Sequence, residues 1–241
     1  MGELFRCLCA TAIAALLASG PVLAKNSYVE PSLKITSTKS AAPAVALTLD
    51  ACGGQVDNRI ISTLVSHRIP ATVFVSARWI RRNAKTMALF KAHPELFEIE
   101  NHGRDHRPAI DTAGSVFGVR NAGSTKAVRA EVDGGSAAIV AATGKKPKWF
   151  RGATALYSPS SLKFIEAMGF RIAGFSVSAD AGASLSAAAT EKRMAGVADG
   201  DVILAHVNQP GRAAGAGVVK GILGLKARGF RFVKLDDVKS R

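Results

Sequence analysis

The chain is 241 residues long and 48 % apolar, enough for one ordinary domain with a sizeable core, which excludes an intrinsically disordered protein. Lysine and arginine outnumber aspartate and glutamate by 32 to 18, and the formal net charge of +14 favours polyanions: acidic polysaccharide, anionic lipid surface or nucleic acid. Aromatic residues are only 6 % and form no stripe interleaved with arginine, which speaks against nucleic acid, while a generally basic surface without a specific anionic ligand fits the charge equally well.

The first residues read as a secretory signal over 1–24. Arg6 supplies the positive start, residues 7–18 form a short apolar run, and "PVLAK" offers Val22 and Ala24 to a signal peptidase. An uncleaved anchor helix is the alternative, although the run is short for a membrane span. No other stretch is long and apolar enough to cross a bilayer, so the expected mature protein is periplasmic or secreted, with no stable membrane insertion. Cleavage would remove Cys7 and Cys9 and leave Cys52 alone, so no internal disulfide is expected. Residues 25–42, rich in Ser, Thr and Lys, read as a linker or loosely docked arm ahead of a domain over 43–241.

From Pro43 the texture changes. "VALTLD" (45–50) predicts a buried strand, and "DNRIISTLVSHR" a helix capped by Asp57, with Ile60, Ile61, Leu64 and Val65 on one face. "ATVFVS" (71–76) is a second strand, "RWIRRNAKTMALFKAH" a second helix and "LFEIEN" (96–101) a third strand. Residues 103–123 read as a long loop region, and 124–143 as a helix interrupted by Gly134-Gly135. Beyond it come "KWFRG", a helix opened by Ser158-Pro159, the strands "RIAGFSVS" (171–178) and "DVILAHV" (201–207), a helix carrying Val218, Val219, Ile222 and Leu225, and the strand "FRFVKL" (230–235).

Strand and helix alternate about seven times, which predicts a parallel α/β sheet, either open and doubly wound or closed into a barrel. In both architectures chemistry sits at the carboxyl ends of strands. Asp50, His102, Arg151, Asp180 and His206 all fall at or just past such ends. His102 and His106, four apart in "NHGRDH", are a pair suited to a divalent metal, although two histidines do not complete a zinc site. A buried Asp50 needs a partner, a metal or the turn amides of Gly53 and Gly54. Arg151 would need a counter-charge, and Asp180 is the natural candidate, as a structural or an orienting pair. Such parts suit metal-assisted hydrolysis of an amide or ester, in which a carboxylate takes the water proton and an imidazolium protonates the leaving group.

Residues 45–238 resemble the polysaccharide deacetylases of the NodB-homology type, carbohydrate esterase family 4. "TLDACGG" stands where the family has Thr-Phe-Asp-Asp-Gly, "NHGRDH" matches its paired histidines, "FRGAT" corresponds to Arg-Pro-Pro-Tyr, "FSVSADAG" to an Asp-Trp after a strand, and "LAH" to Leu-x-His. The resemblance implies a distorted (β/α) barrel of about seven parallel strands and metal-dependent removal of N-acetyl or O-acetyl groups from a glycan, which an acidic character would suit. It implies zinc first, with cobalt or nickel as alternatives. Carried over, Asp50 is the base, His102 and His106 are metal ligands, Arg151 orients the base, Asp180 is the acidic partner of that arginine and His206 is the general acid. Two positions depart from the pattern. Ala51 replaces the family's metal-binding Asp, and Thr154 replaces a tyrosine. The third ligand is thus open: Asp50 itself, with Asp105 or Asp180 then acting as base; water around a weakly held metal; or a Cys52 thiolate. Cys52 is otherwise a small residue of the turn. A non-catalytic glycan-binding descendant is the alternative function, and a deacylase acting on something other than a polymeric glycan is a third.

Overall fold

A computed structural model describes residues 28–36 and 42–239. The signal peptide expected over 1–24 lies outside the described residues, and none of their helices is long and apolar enough to cross a membrane.

Strand β1 (Ala44–Ala51) is buried along its whole length, the pattern of a central parallel strand covered on both faces. It leads into helix α1 (Asn58–Ser66), where Asp57 caps the amide of Arg59. Strand β2 (Ala71–Val75) and helix α2 (Ala77–Arg82) follow, then α3 (Ala84–Ala92) and strand β3 (Phe97–Asn101). The loop after β3 holds a small hairpin, β4 (Ser115–Val116) and β5 (Val119–Arg120). Helix α4 (Thr125–Thr143), strand β6 (Trp149–Phe150) and helix α5 (Pro159–Ala167) come next, then strands β7 (Arg171–Ile172) and β8 (Val177–Ser178). Helix α6 (Ala187–Ala195), strand β9 (Val202–His206), helix α7 (Ala214–Ala227) and strand β10 (Arg231–Val233) complete the order.

The main sheet runs β7-β6-β3-β2-β1-β9-β8, and β10 pairs with the amino end of β1. Every pairing in it is parallel, as the alternation of elements requires. Seven strands curl along this path, with β10 as an eighth, and the helices cover the outside. The distorted (β/α) barrel is therefore the fold. One face of β1, Val45, Leu47, Leu49 and Ala51, packs with Ile60, Leu64, Val218 and Ile222 of α1 and α7.

Three elements differ from expectation, each for a local reason. The second helix is two helices, because Asn83 leaves the helical region and turns its amide to Trp79 and Gly54. The strand expected over 171–178 breaks at 173–176, because the carbonyls of Ala173 and Gly174 accept from the Arg151 guanidinium. Residues 28–36 are not loosely docked. They lie against this break between the sheet's two ends, with Leu33 and Ile35 in the core and Pro31 bonded to the Phe175 amide. A Cβ at Gly174 would sit 2.2 Å from the Pro31 oxygen, so this contact requires glycine.

Candidate active site

The expected site residues converge. Asp50 and His206 end neighbouring strands and are register partners across β1 and β9. His102 follows β3, Arg151 follows β6 and Asp180 follows β8. Asp50, Cys52, His102, His106 and His206 line one cleft of about 540 Å³, with Glu30 of the N-terminal arm and Thr154 also on its wall.

Arg151 is fully buried and organises the floor. Its Nη1 donates to Asp50 Oδ1 at 3.0 Å and to Thr48 Oγ1 at 2.8 Å; Nε and Nη2 donate to the carbonyls of Ala173 and Gly174 at 3.1 and 2.8 Å. The guanidinium lies over the Phe74 ring, 4.4 Å from its centroid. Burial pushes the Asp50 pKa up, but the charges of His102, Arg151 and His206 outweigh it and hold the carboxyl below its usual range.

Asp180 does not pair with Arg151. It accepts from the His206 amide at 2.7 Å and from His206 Nδ1 at 2.9 Å. The reason is the break after β7: two main-chain carbonyls already occupy the side of the guanidinium turned from Asp50. Burial disfavours a charged His206, yet the bond to Asp180 and the neighbouring Cys52 together outweigh it, and the imidazole pKa stands well above the usual value. Its Nδ1 is committed, which leaves Nε2 for the cleft.

His102 is almost fully buried. Its Nδ1 donates to the Arg151 carbonyl at 2.6 Å, which assigns the acceptor lone pair to Nε2. That nitrogen lies 3.4 Å from Cys52 Sγ and 3.8 Å from Asp50 Oδ2. Burial opposes a charged His102, but Asp50 and Cys52 beside it raise its pKa. Burial likewise pushes the Cys52 thiol up, and His102 and His106 overcome it to bring the thiol well below its usual range.

His106 sits on the loop beyond, with φ 60°, a left-handed conformation that costs a non-glycine residue about 1–2 kcal/mol. Strain of this kind gathers at functional sites, and Thr154, Ala155 and Ala181 on the cleft wall share it. Among the described residues, Cys52, His102 and His106 form a group whose ligand atoms all lie within 4.8 Å of one another, and Asp50 is outside that group. Helix α4 presses directly on the residues before and after His102: a Cβ at Gly135 would lie 2.1 Å from Asn101 Oδ1 and 2.8 Å from the Gly103 main chain, which explains glycine at that position inside a helix.

A family model described as polysaccharide deacetylase matches residues 37–173, more than half of the chain. The chain belongs to the polysaccharide deacetylase family. A mutant of a CE4 family pseudoenzyme from Bacillus anthracis with restored enzymatic activity shares 22 % identity at a TM-score of 0.66, covering 82 % of this chain and 68 % of that one. The peptidoglycan deacetylase PdaC from Bacillus subtilis shares 19 % at 0.68, covering 82 % and 90 %. A peptidoglycan N-acetylglucosamine deacetylase, Bc1960, shares 22 % at 0.68, covering 84 % and 91 %. At these identities the likeness establishes the fold. No curated protein matches the chain.

Several residues of this member of the polysaccharide deacetylase family were not singled out from sequence. Thr48 braces Arg151, a role that its alternation with Asp50 on β1 could have shown. Ser76, Asn83 and Asn208 bond the carbonyls of Cys52, Gly54 and Gly53, and no short motif announces them. A groove lined by Arg78, Arg81, Arg82, Arg107 and Arg120 meets the cleft at His106 and Val119.

Proposed function

We propose that this protein is an exported, metal-dependent hydrolase that removes acetyl groups from an acidic glycan. The observation that carries the reading is the pairing of a carboxylate held by Arg151 with two histidines and a carboxylate-backed imidazole around one cleft. Membership of the polysaccharide deacetylase family supports acetylated carbohydrate as substrate, and the amino-terminal sequence supports export.

The residues present suit a metal. His102 donates Nδ1–H to a main-chain carbonyl and offers Nε2, the arrangement that orients ligating histidines. His102 and His106 would hold the ion, zinc by preference and cobalt or nickel as alternatives. When bound, it would polarise the acetyl carbonyl and lower the pKa of water.

The chain's own groups supply the proton transfers. Asp50 stays ionised, is fixed through Oδ1 by Arg151, and takes the water proton on Oδ2. Asp105 is engaged with Arg104 and Asp180 with His206, so neither competes for that role. His206, kept protonated by Asp180, delivers a proton from Nε2 to the leaving nitrogen or oxygen. Thr154 lines the cleft, and its hydroxyl has no hydrogen-bond partner among the described residues. The arginine groove, with Asp105 as its one carboxylate, supports an acidic polymer running past the cleft.

A second reading has its own support. Ala51 replaces the carboxylate expected for metal, and one structural relative is a pseudoenzyme in its wild-type form, which favours a glycan-binding protein without catalysis. Acetate release from a panel of N- and O-acetylated glycans, with zinc, cobalt or nickel added, decides between them. The hydrolase reading expects release by wild type and its loss in Asp50→Asn; no release with any metal sinks it.

A further inference from the structure

We infer that Cys52 is the third protein ligand of the metal, its thiolate completing a sulfur–nitrogen–nitrogen set with His102 and His106. The inference rests on the metal-dependent reading above and adds the donor that the sequence left open.

Strand alternation decides which residue reaches the site. Along β1, Val45, Leu47, Leu49 and Ala51 point into the core under α1 and α7. Thr48 and Asp50 point the other way, both to Arg151. Cys52 continues that second face and meets His102. A side chain at position 51 is directed away from the histidines, so the alanine there costs the site no ligand. The residue one step on takes its place.

The spacing suits a shared ion. Thiolate and imidazole donors at their usual zinc distances, around a tetrahedral ion, stand about 3.5 Å apart. Cys52 Sγ and His102 Nε2 are 3.4 Å apart, and all three donor atoms lie within 4.8 Å. Asp50, by contrast, is tied to Arg151 and lies outside the group.

The turn that carries Cys52 is built to hold it there. Three successive carbonyls, of Cys52, Gly53 and Gly54, each accept a hydrogen bond from a buried side chain: Ser76 at 2.6 Å, Asn208 at 2.6 Å and Asn83 at 3.0 Å. Those three donors come from the end of β2, the loop after β9 and the break between α2 and α3. A cysteine that merely filled a turn would not need its main chain fixed from three directions. Fixed donors of this kind are what a metal centre requires, because a ligand set that is already in place gives up less entropy on binding.

The consequence is a change in metal preference. A thiolate with two imidazoles is a softer set than a carboxylate with two imidazoles, and it favours zinc, cobalt and cadmium over magnesium and manganese.

The test is cobalt titration of the purified metal-free protein, followed by absorption spectroscopy, with zinc affinity measured by competition against a chromogenic chelator. Wild type is expected to bind one cobalt and to show the near-ultraviolet charge-transfer band of a cobalt–thiolate bond. Cys52→Ser is expected to lose the band and to bind zinc on the order of 100-fold more weakly, at least the effect that losing an outer-shell partner produces. Cys52→Asp, which restores a charged donor, is expected to recover part of the affinity without the band, and so separates loss of the ligand from loss of the fold. Stoichiometric cobalt without the band, or zinc affinity unchanged in Cys52→Ser, overturns the inference and leaves the metal-dependent reading in place. No metal bound by folded wild type overturns both. A band without acetate release from any glycan supports the ligand and sinks the hydrolase.

Discussion

Asp180 grips His206 twice, through the main-chain amide at 2.7 Å and through Nδ1 at 2.9 Å. The first bond fixes where the histidine begins and the second fixes which way its ring faces. With Asp180 fully buried, its side of the interaction is shielded from solvent, and the imidazolium is favoured although burial opposes it.

Asp180→Asn keeps the shape and removes the charge. The amide can still accept one bond, but it no longer holds the proton on His206, whose pKa falls. Turnover is expected to drop by about 10²–10⁴-fold, the usual worth of a positioned proton donor. The alkaline limb of the kcat profile moves to lower pH, because the proton is lost earlier, while KM changes little. A variant with an unshifted limb and full kcat would remove Asp180 from the mechanism.

Arg151 is the mechanical link between Asp50 and the barrel. Five groups converge on its guanidinium: Asp50, Thr48, the carbonyls of Ala173 and Gly174, and the Phe74 ring. Arg151→Met keeps much of the volume but leaves a buried carboxylate and two carbonyls unpaired. Breaking a buried pair in this way costs about 3–5 kcal/mol, so urea denaturation is expected to show a loss of that size. Asp50→Asn leaves the carbonyl bonds in place and is expected to cost less. Equal stability of Arg151→Met and wild type would show that the pair is not structural.

A second carboxylate cluster lies away from the cleft, near the start of β3. Burial is the main cause that raises Glu98 to about 7 and Glu100 to about 8, with nearby Asp236 and Glu98 respectively adding to it. Both bind protons in the folded protein that they release when unfolded, where the ordinary value is 4.5. The native state therefore holds more protons between those values, and stability falls as pH rises from about 4.5 to about 8. The slope is at most about 1.4 kcal/mol per pH unit for each group. Glu100→Gln preserves the acceptor for the amides of Lys148 and Trp149 and is expected to flatten the upper part of that slope. Denaturant midpoints measured at several pH values across this window check it; an unchanged slope would mean that Glu100 is ionised throughout.

The parallel barrel and the positions of Asp50, His102, Arg151 and His206 were legible because a short, continuous buried run that stops at a polar residue marks the end of a central parallel strand. The partner of Arg151 was not. Asp180 was the nearest carboxylate by motif, but two backbone carbonyls took its place, and a backbone acceptor leaves no trace in a residue sequence. The helix break at Asn83 was hidden for a related reason, since its side chain is recruited by Gly54 and Val56, distant in the chain. The seating of residues 28–36 was missed because a Ser- and Lys-rich segment needs only Leu33 and Ile35 to bury itself. Cys52 was legible in principle: just past the end of β1, its parity with Thr48 and Asp50 assigns it to the cleft side of the chain.

The arginine groove carries the substrate's charge in the proposed function, and it is the part most open to direct measurement. Arg81, Arg82 and Arg120 are exposed and lie beside the cleft rather than in it. Each contact between such a side chain and an acidic sugar is worth up to about 1 kcal/mol and is screened by salt. Arg81→Glu combined with Arg120→Glu removes two attractions and adds two repulsions. KM for an acidic acetylated polymer is expected to rise by about 10-fold or more at low ionic strength, with kcat retained, since neither side chain is in the cleft. The rise should shrink as salt is added, because wild type loses by screening what the variant has already lost. For a neutral acetylated polymer the same pair of substitutions should move KM less, and an equal effect on both polymers would assign the groove to shape rather than to charge.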